Sequence, residues 1–236
     1  MISDELLISK DQVELSVSIC KVDLISDIVG EFPELQGIMG GYFAAQQGFD
    51  KEIALAISEH YLPTGLDSKT PKKPFSIALA LTDKIDTLVG FFGINQKPTS
   101  SKDPYALRRS ALGVIKLLID NDKEFKIKDL ISYSTLLHRE QGFELINDSF
   151  QKELAEFLMD RLKYYMKEKE IRADITEAAI SSYGVDHMNK IYKKALILND
   201  EIKKETGQDI MASYKRASNI LASELKNNEL ELSNTT

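Results

Sequence analysis

The sequence predicts an all-α fold. Apolar residues recur at steps of three and four through most of the chain, and no segment of useful length alternates apolar with polar residues. All six prolines lie at or before Pro104, and nine of the twelve glycines at or before Gly113, so the second half is expected to consist of long helices. Residues 11–29 set Val13, Val17, Cys20, Leu24 and Ile28 on one helical face. A turn follows at Gly30 to Pro33. Helices are expected over 34–47, 50–61 and 74–92, the last with Ile77, Leu81, Ile85, Leu88 and Phe92 in one stripe. Pro63-Thr64-Gly65 and Pro71-Lys72-Lys73-Pro74 read as surface loops, and Gly93 to Ser101 as a polar connection. Asp103 ahead of Pro104 predicts a capped helix start, with Leu107, Ala111, Val114, Ile115 and Leu118 inward.

After a short apolar piece near 127–137, helices are expected at 149–168 and 173–181 and near 186–204 and 209–226. The polar end, Asn227 to Thr236, is expected to fray. No repeat of 20 to 50 residues is visible, which disfavours a solenoid. Between about 123 and 149 the sequence changes from glycine- and proline-punctuated to lysine- and glutamate-rich. This change divides the chain into a compact domain at 1–122, a connecting region at 123–148 and a helical region at 149–236.

The chain has 236 residues, 43% of them hydrophobic and 28% charged, which fits one large or two small globular domains and excludes a disordered chain. No stretch approaches the roughly 20 apolar residues of a membrane helix, and Met1-Ile2-Ser3-Asp4-Glu5 lacks the basic start of a signal peptide. A soluble cytoplasmic protein with no membrane partner is expected. Cys20 is the single cysteine, which leaves no intrachain disulfide and no multi-cysteine zinc site. The net charge of −7 argues against a bulk polycation for nucleic acid, so any basic surface must be local.

Asp23, His60 and Asp83 each sit on an expected helix, and helical bundles build metal sites from facing helices. A metal-dependent hydrolase would need such ligands to converge on one cation and lower the pKa of its water. In the alternative reading His60 is structural near a helix end, while Asp83 and Asp86 bond to the backbone or to Lys84 and arginine side chains. Cys20 on an apolar face reads as a buried, inert thiol. Gly37-Ile38-Met39-Gly40-Gly41 lacks the Gly-Lys-Ser/Thr of a phosphate loop and a preceding strand, so close helix packing accounts for it better. Lys69, Lys72 and Lys73 share one loop, and Thr99 to Lys116 carries Lys102, Arg108, Arg109 and Lys116 against Asp103 alone. Such cations suit phosphate contacts, which position a nucleic acid without reading its bases; a solvated face is the alternative. Lys193-Lys194, Lys203-Lys204 and Lys215-Arg216 are smaller clusters of the same kind.

Four ordered blocks carry a more specific signal. They are Gly30-Glu31-Phe32-Pro33-Glu34-Leu35-Gln36-Gly37-Ile38-Met39-Gly40, Glu59-His60-Tyr61-Leu62-Pro63, the run from Ala78 to Phe92 through Leu81-Thr82-Asp83-Lys84-Ile85-Asp86, and Ser101-Lys102-Asp103-Pro104-Tyr105-Ala106-Leu107-Arg108-Arg109-Ser110-Ala111-Leu112-Gly113. Together they resemble the β subunit of bacterial glycyl-tRNA synthetase, most densely over 21–121 and again at Tyr214 to Leu221. The resemblance implies a fragment of a longer subunit in an α2β2 heterotetramer. There the α subunit joins glycine to tRNA with ATP and magnesium, and the β subunit binds tRNA and is required for the reaction. It implies an HD-like helical domain at 1–122 and, at 149–236, the start of a region leading toward the anticodon-binding end. No cofactor is expected in this chain.

HD-type metal phosphohydrolases use an adjacent His-Asp doublet with further His and Asp ligands. Here Asp23 would stand at the doublet's aspartate with Val22 in place of the histidine, and His60 and Asp83 at later ligand positions. A missing ligand weakens both affinity and geometric control, so no metal and no catalytic residue are expected. The expected function is support of tRNA binding and of assembly with the catalytic α subunit, with Lys72, Lys73, Lys102, Arg108 and Arg109 facing the RNA. The alternatives are a phosphohydrolase using the Asp23, His60 and Asp83 trio, and a purely structural helical adaptor.

Overall fold

The structure, a computed structural model, describes residues 2–146 and 149–228. Among these residues there are twelve α-helices, three short 3-10 turns and no strand, which meets the all-α expectation. The helices are α1 (Ile2–Glu5), α2 (Lys10–Ile19), α3 (Asp27–Glu31), α4 (Ile38–Gln46), α5 (Lys51–Glu59) and α6 (Pro74–Gly93). They continue with α7 (Leu107–Asp120), α8 (Ile127–Glu140), α9 (Ser149–Glu168), α10 (Ala173–Tyr183), α11 (Met188–Glu201) and α12 (Glu205–Asn228). No helix among the described residues is long and apolar enough to cross a membrane.

The axis of the fold is α6, which packs on α5, α7, α8 and α9. Its expected stripe is buried throughout: Ile77, Leu81, Ile85, Leu88 and Phe92. Because α6 is apolar on more than one face it joins two cores. Phe75 and Leu79 close a small core with Cys20, Ala44, Ile53, Ala56 and Ile57 from the N-terminal segments. The opposite residues enter a larger core continuous through α7, α8, α9, α10 and α11, with Leu118, Ile131, Phe150, Leu158 and Ile191 at its centre. This larger core runs across the 123–148 region, where α8 buries Ile127, Leu130 and Ile131. Residues 208–224 of α12 are all exposed. Of the polar end expected to fray, Asn227 and Asn228 close α12, and residues 229–236 lie outside the described residues.

Three expected elements differ. The helix expected over 11–29 stops at Ile19, and the chain continues as a 3-10 turn, Val22–Ile25, and then α3. The cause is polar: Asp23 turns inward, only Cys20 of the five-residue apolar face is buried, and Ser26 caps α3 by accepting from Val29 N. The helix expected over 34–47 begins only at Ile38, after Gly37 takes a positive φ of 78°. The helix expected to open at Pro104 begins at Leu107, because Ala106 adopts a left-handed conformation. Asp103 still caps it from upstream, its two oxygens accepting from Leu107 N at 2.8 Å and Arg108 N at 3.0 Å.

Candidate functional site

The trio Asp23, His60 and Asp83 converges on the junction of the 3-10 turn at 22–25, the start of α4, the end of α5 and the middle of α6. Asp23 is 1% exposed, and its Oδ2 accepts from Gly37 N at 2.6 Å and Gly40 N at 3.0 Å. The carboxylate thereby satisfies backbone donors at the start of α4, where the helix dipole favours negative charge. Glycine is required around it. Gly37 has the positive φ, and a Cβ there would stand 2.9 Å from the Tyr61 ring; a Cβ on Gly40 would stand 2.9 Å from Ile57 Cγ2 and 3.2 Å from Asp23 Oδ2. On Gly41 it would meet Ala54 O at 2.8 Å, so the glycine run serves close packing of α4 on α5, as its sequence context suggested.

His60 follows the last residue of α5 and is fully buried. Its Nδ1 lies 2.6 Å from Ile57 O, and since a carbonyl can only accept, Nδ1 carries the proton and Nε2 is bare. Burial lowers its pKa, outweighing the backbone bond and the Asp83 charge that favour protonation, so the ring is neutral. Asp83 is held by Lys21, whose Nζ lies 2.5 Å from Oδ1. Burial works against the Lys21 charge, and the charge and hydrogen bond of Asp83 overcome it, so its pKa is raised.

Each member of the trio thus has a protein partner at one atom: Asp23 Oδ2 with two amides, His60 Nδ1 with a carbonyl, Asp83 Oδ1 with an ammonium. Among the described residues no group of three or more His, Cys, Asp or Glu side chains is arranged to hold a metal ion. Lys21 supplies Asp83 with a cation from the chain itself. Among the described residues nothing hydrogen-bonds the buried Asp23 Oδ1 and His60 Nε2, the residual polarity of this centre.

Lys84, expected as a partner of Asp83 or Asp86, bonds instead to backbone carbonyls, and its burial is what sequence reasoning missed, because a lysine on α6 reads as a surface residue. It is 5% exposed, and its Nζ donates to Tyr61 O at 3.0 Å and His60 O at 3.4 Å, closing the C-terminal end of α5. Gly113 makes the room: a Cβ there would stand 2.7 Å from Lys84 Cδ. Burial pushes the Lys84 ammonium down from 10.5 to about 8, against the pull of Asp83. The folded chain releases this proton before the unfolded chain does, so stability is lowest while the lysine is charged and rises as pH climbs from about 8 toward 10.5. Urea unfolding at about pH 7.5 and about pH 9.5 should show wild type gaining about 2 kcal/mol over Lys84→Met. Parallel pH profiles for the two proteins would show that the ammonium is solvated.

The basic residues do not form one patch. Lys72 Nζ donates to Asp120 O at 2.7 Å, at the C-terminal end of α7, and Lys73 is exposed at the start of α6. Arg108 and Arg109 lie in the first turn of α7, about 18 Å away at 1.5 Å per residue. Arg108 donates through Nη2 to Thr99 O at 2.5 Å and lies 3.9 Å from Asp103, so it fastens the loop before α7. Lys102 and Arg109 are exposed on that loop and turn.

The fold and this centre define an all-α domain whose buried polar residues fix loops and helix ends. The chain belongs to the glycyl-tRNA synthetase beta subunit family, whose description matches residues 1–181. It is 42% identical over 212 residues to the glycine–tRNA ligase beta subunit of Ruegeria sp. (strain TM1040), covering 90% of this chain and 29% of that relative. It is 39% identical over 216 residues to that of Rhodospirillum centenum, covering 92% and 30%, and 42% identical over 212 residues to that of Paracoccus denitrificans, covering 90% and 29%. The chain therefore spans about three tenths of the length of these relatives.

Proposed function

We propose that this chain is a non-catalytic helical part of the glycine–tRNA ligase beta subunit that supports tRNA binding and assembly with the catalytic α subunit. ATP and magnesium act in the α subunit on this reading. The observation that carries it is the family match over most of the chain, in a domain whose Asp23, His60 and Asp83 are each occupied by backbone or by Lys21. The loop before α7 supplies the RNA-facing cations. Lys102 and Arg109 contact phosphates, and Arg108 positions the loop through Thr99 O. Lys73 is a separate contact at the start of α6, and Lys72 holds its loop to α7.

Binding to glycine tRNA and to an unrelated tRNA, titrated at two salt concentrations, tests this reading. Salt-sensitive binding that prefers the glycine tRNA is expected. In the double variant Lys102→Gln/Arg109→Gln the slope of log affinity against log salt should fall by about one per lost phosphate contact, near two in all. An unchanged slope in a folded double variant removes these residues from the RNA surface. Absence of binding to either tRNA at low salt removes the RNA role and leaves assembly.

A further inference from the structure

A cavity of about 270 Å³ lies between the C-terminal half of α6 and the segment that follows α8, lined by Asp86, Phe91, Ile94, His138, Phe143 and Leu145 among others. Its outer wall is fixed in place. Phe143 N donates to His138 O at 3.0 Å, and Ile146 N donates to Gly93 O at 2.8 Å. A Cβ on Gly93 would stand 2.6 Å from Leu145 Cδ2, so residues 143–146 lie directly on α6.

The cavity's chemistry is unlike that of the cores. Phe75, Phe92 and Phe150 are buried, whereas here Phe143 is 56% and Ile94 49% exposed. The Phe143 ring stands edge-on to His138, with centroids 5.5 Å apart and planes at 79°. Phe91 stacks on Tyr105, with centroids 4.1 Å apart and planes at 21°. At the rim the Asp86 side chain is 61% exposed, and its Oδ1 lies 3.1 Å from His138 Nε2. Through its stack on Phe91, Tyr105 ties the cavity wall to the segment before α7, in whose sequence Lys102 stands three residues before it and Arg109 four residues after it.

We propose that this cavity takes one unpaired nucleobase of an RNA, its face on Phe143 and its N–H edge toward Asp86. Proteins read single-stranded RNA by stacking a splayed base on an aromatic ring, bonding its edge and holding the neighbouring phosphates with cations; the cavity supplies the ring and the edge acceptor, and the segment joined to it through Tyr105 carries the cations. A carboxylate only accepts, so it favours base edges that present donors, and guanine presents two side by side at N1 and N2. An apolar side chain of a protein partner would use Phe143 and Ile94 but supply no hydrogen-bond donor to the exposed carboxylate. The inference rests on the RNA-binding reading above and adds to it the class of ligand and the residues that take it.

The chain contains no tryptophan, so Phe143→Trp creates a single fluorescent reporter in the cavity wall. The probes are glycine tRNA, a uridine hexamer carrying one central guanosine, and the all-uridine hexamer. Binding of the guanosine hexamer should quench Trp emission in Phe143→Trp. Phe143→Ala should weaken that hexamer roughly tenfold with an unchanged salt slope, as loss of one stack without loss of a phosphate contact requires. Asp86→Asn should abolish the preference for guanosine over uridine. Both side chains are more than half exposed, and an unchanged melting temperature verifies the fold of each variant. Binding of tRNA with unquenched emission and full affinity in Phe143→Ala would overturn the cavity's role while the RNA reading stands. Failure of every RNA to bind wild type at low salt would overturn both.

Discussion

Asp23→Ala is expected to destabilise the chain by about 3–5 kcal/mol, because it removes two hydrogen bonds to a charged acceptor and leaves both donors buried. The donors are Gly37 N and Gly40 N, which start α4, and α4 in turn closes the small core through Ala44. Urea unfolding with a constant m-value measures the loss. Asp23→Asn keeps one acceptor oxygen and should cost less than the alanine. A loss below about 1 kcal/mol in Asp23→Ala would mean that water replaces the carboxylate and that α4 is not anchored by it.

The second large effect belongs to the other core. Phe150→Ala should cost about 3–5 kcal/mol, the transfer of a full aromatic side chain plus the cavity it leaves. Phe150 is fully buried at the first turn of α9, where the larger core meets α7 and α8. Tyr164→Ala on the same helix, at a position 42% exposed, should cost less than about 1 kcal/mol. Similar losses in the two variants would show that α9 is not packed through the face the structure assigns to it.

Periodicity located most of the helices because it reports which face is apolar, and burial of that face stabilises the helix. The α6 stripe and the inward residues Leu154, Leu158 and Leu162 of α9 are legible for this reason. Over 11–29 a polar group overrode the periodicity. Val13, Val17, Cys20, Leu24 and Ile28 fit one helix, yet the carboxylate of Asp23 must reach Gly37 N, and the helix breaks to deliver it. Asp103 read correctly as a cap, but its reach to Leu107 and Arg108 across a left-handed Ala106 depends on backbone angles that residue type leaves open.

The candidate site shows the same division. The four sequence blocks contain His60, Asp83 and the basic loop, with Asp23 just upstream of the first, and the family match agrees with what those blocks resembled. Partnership was decided in three dimensions: Lys21 with Asp83, Lys84 with the carbonyls of residues 60 and 61, Arg108 with Thr99. These partners come from different elements, so no spacing along the chain encodes them. The sequence by itself determined the helical class, the apolar faces, the glycines at close approaches and the family. Only the tertiary structure decided which polar groups are consumed in holding the fold and which remain exposed, because a charge's role depends on what lies within about 4 Å of it.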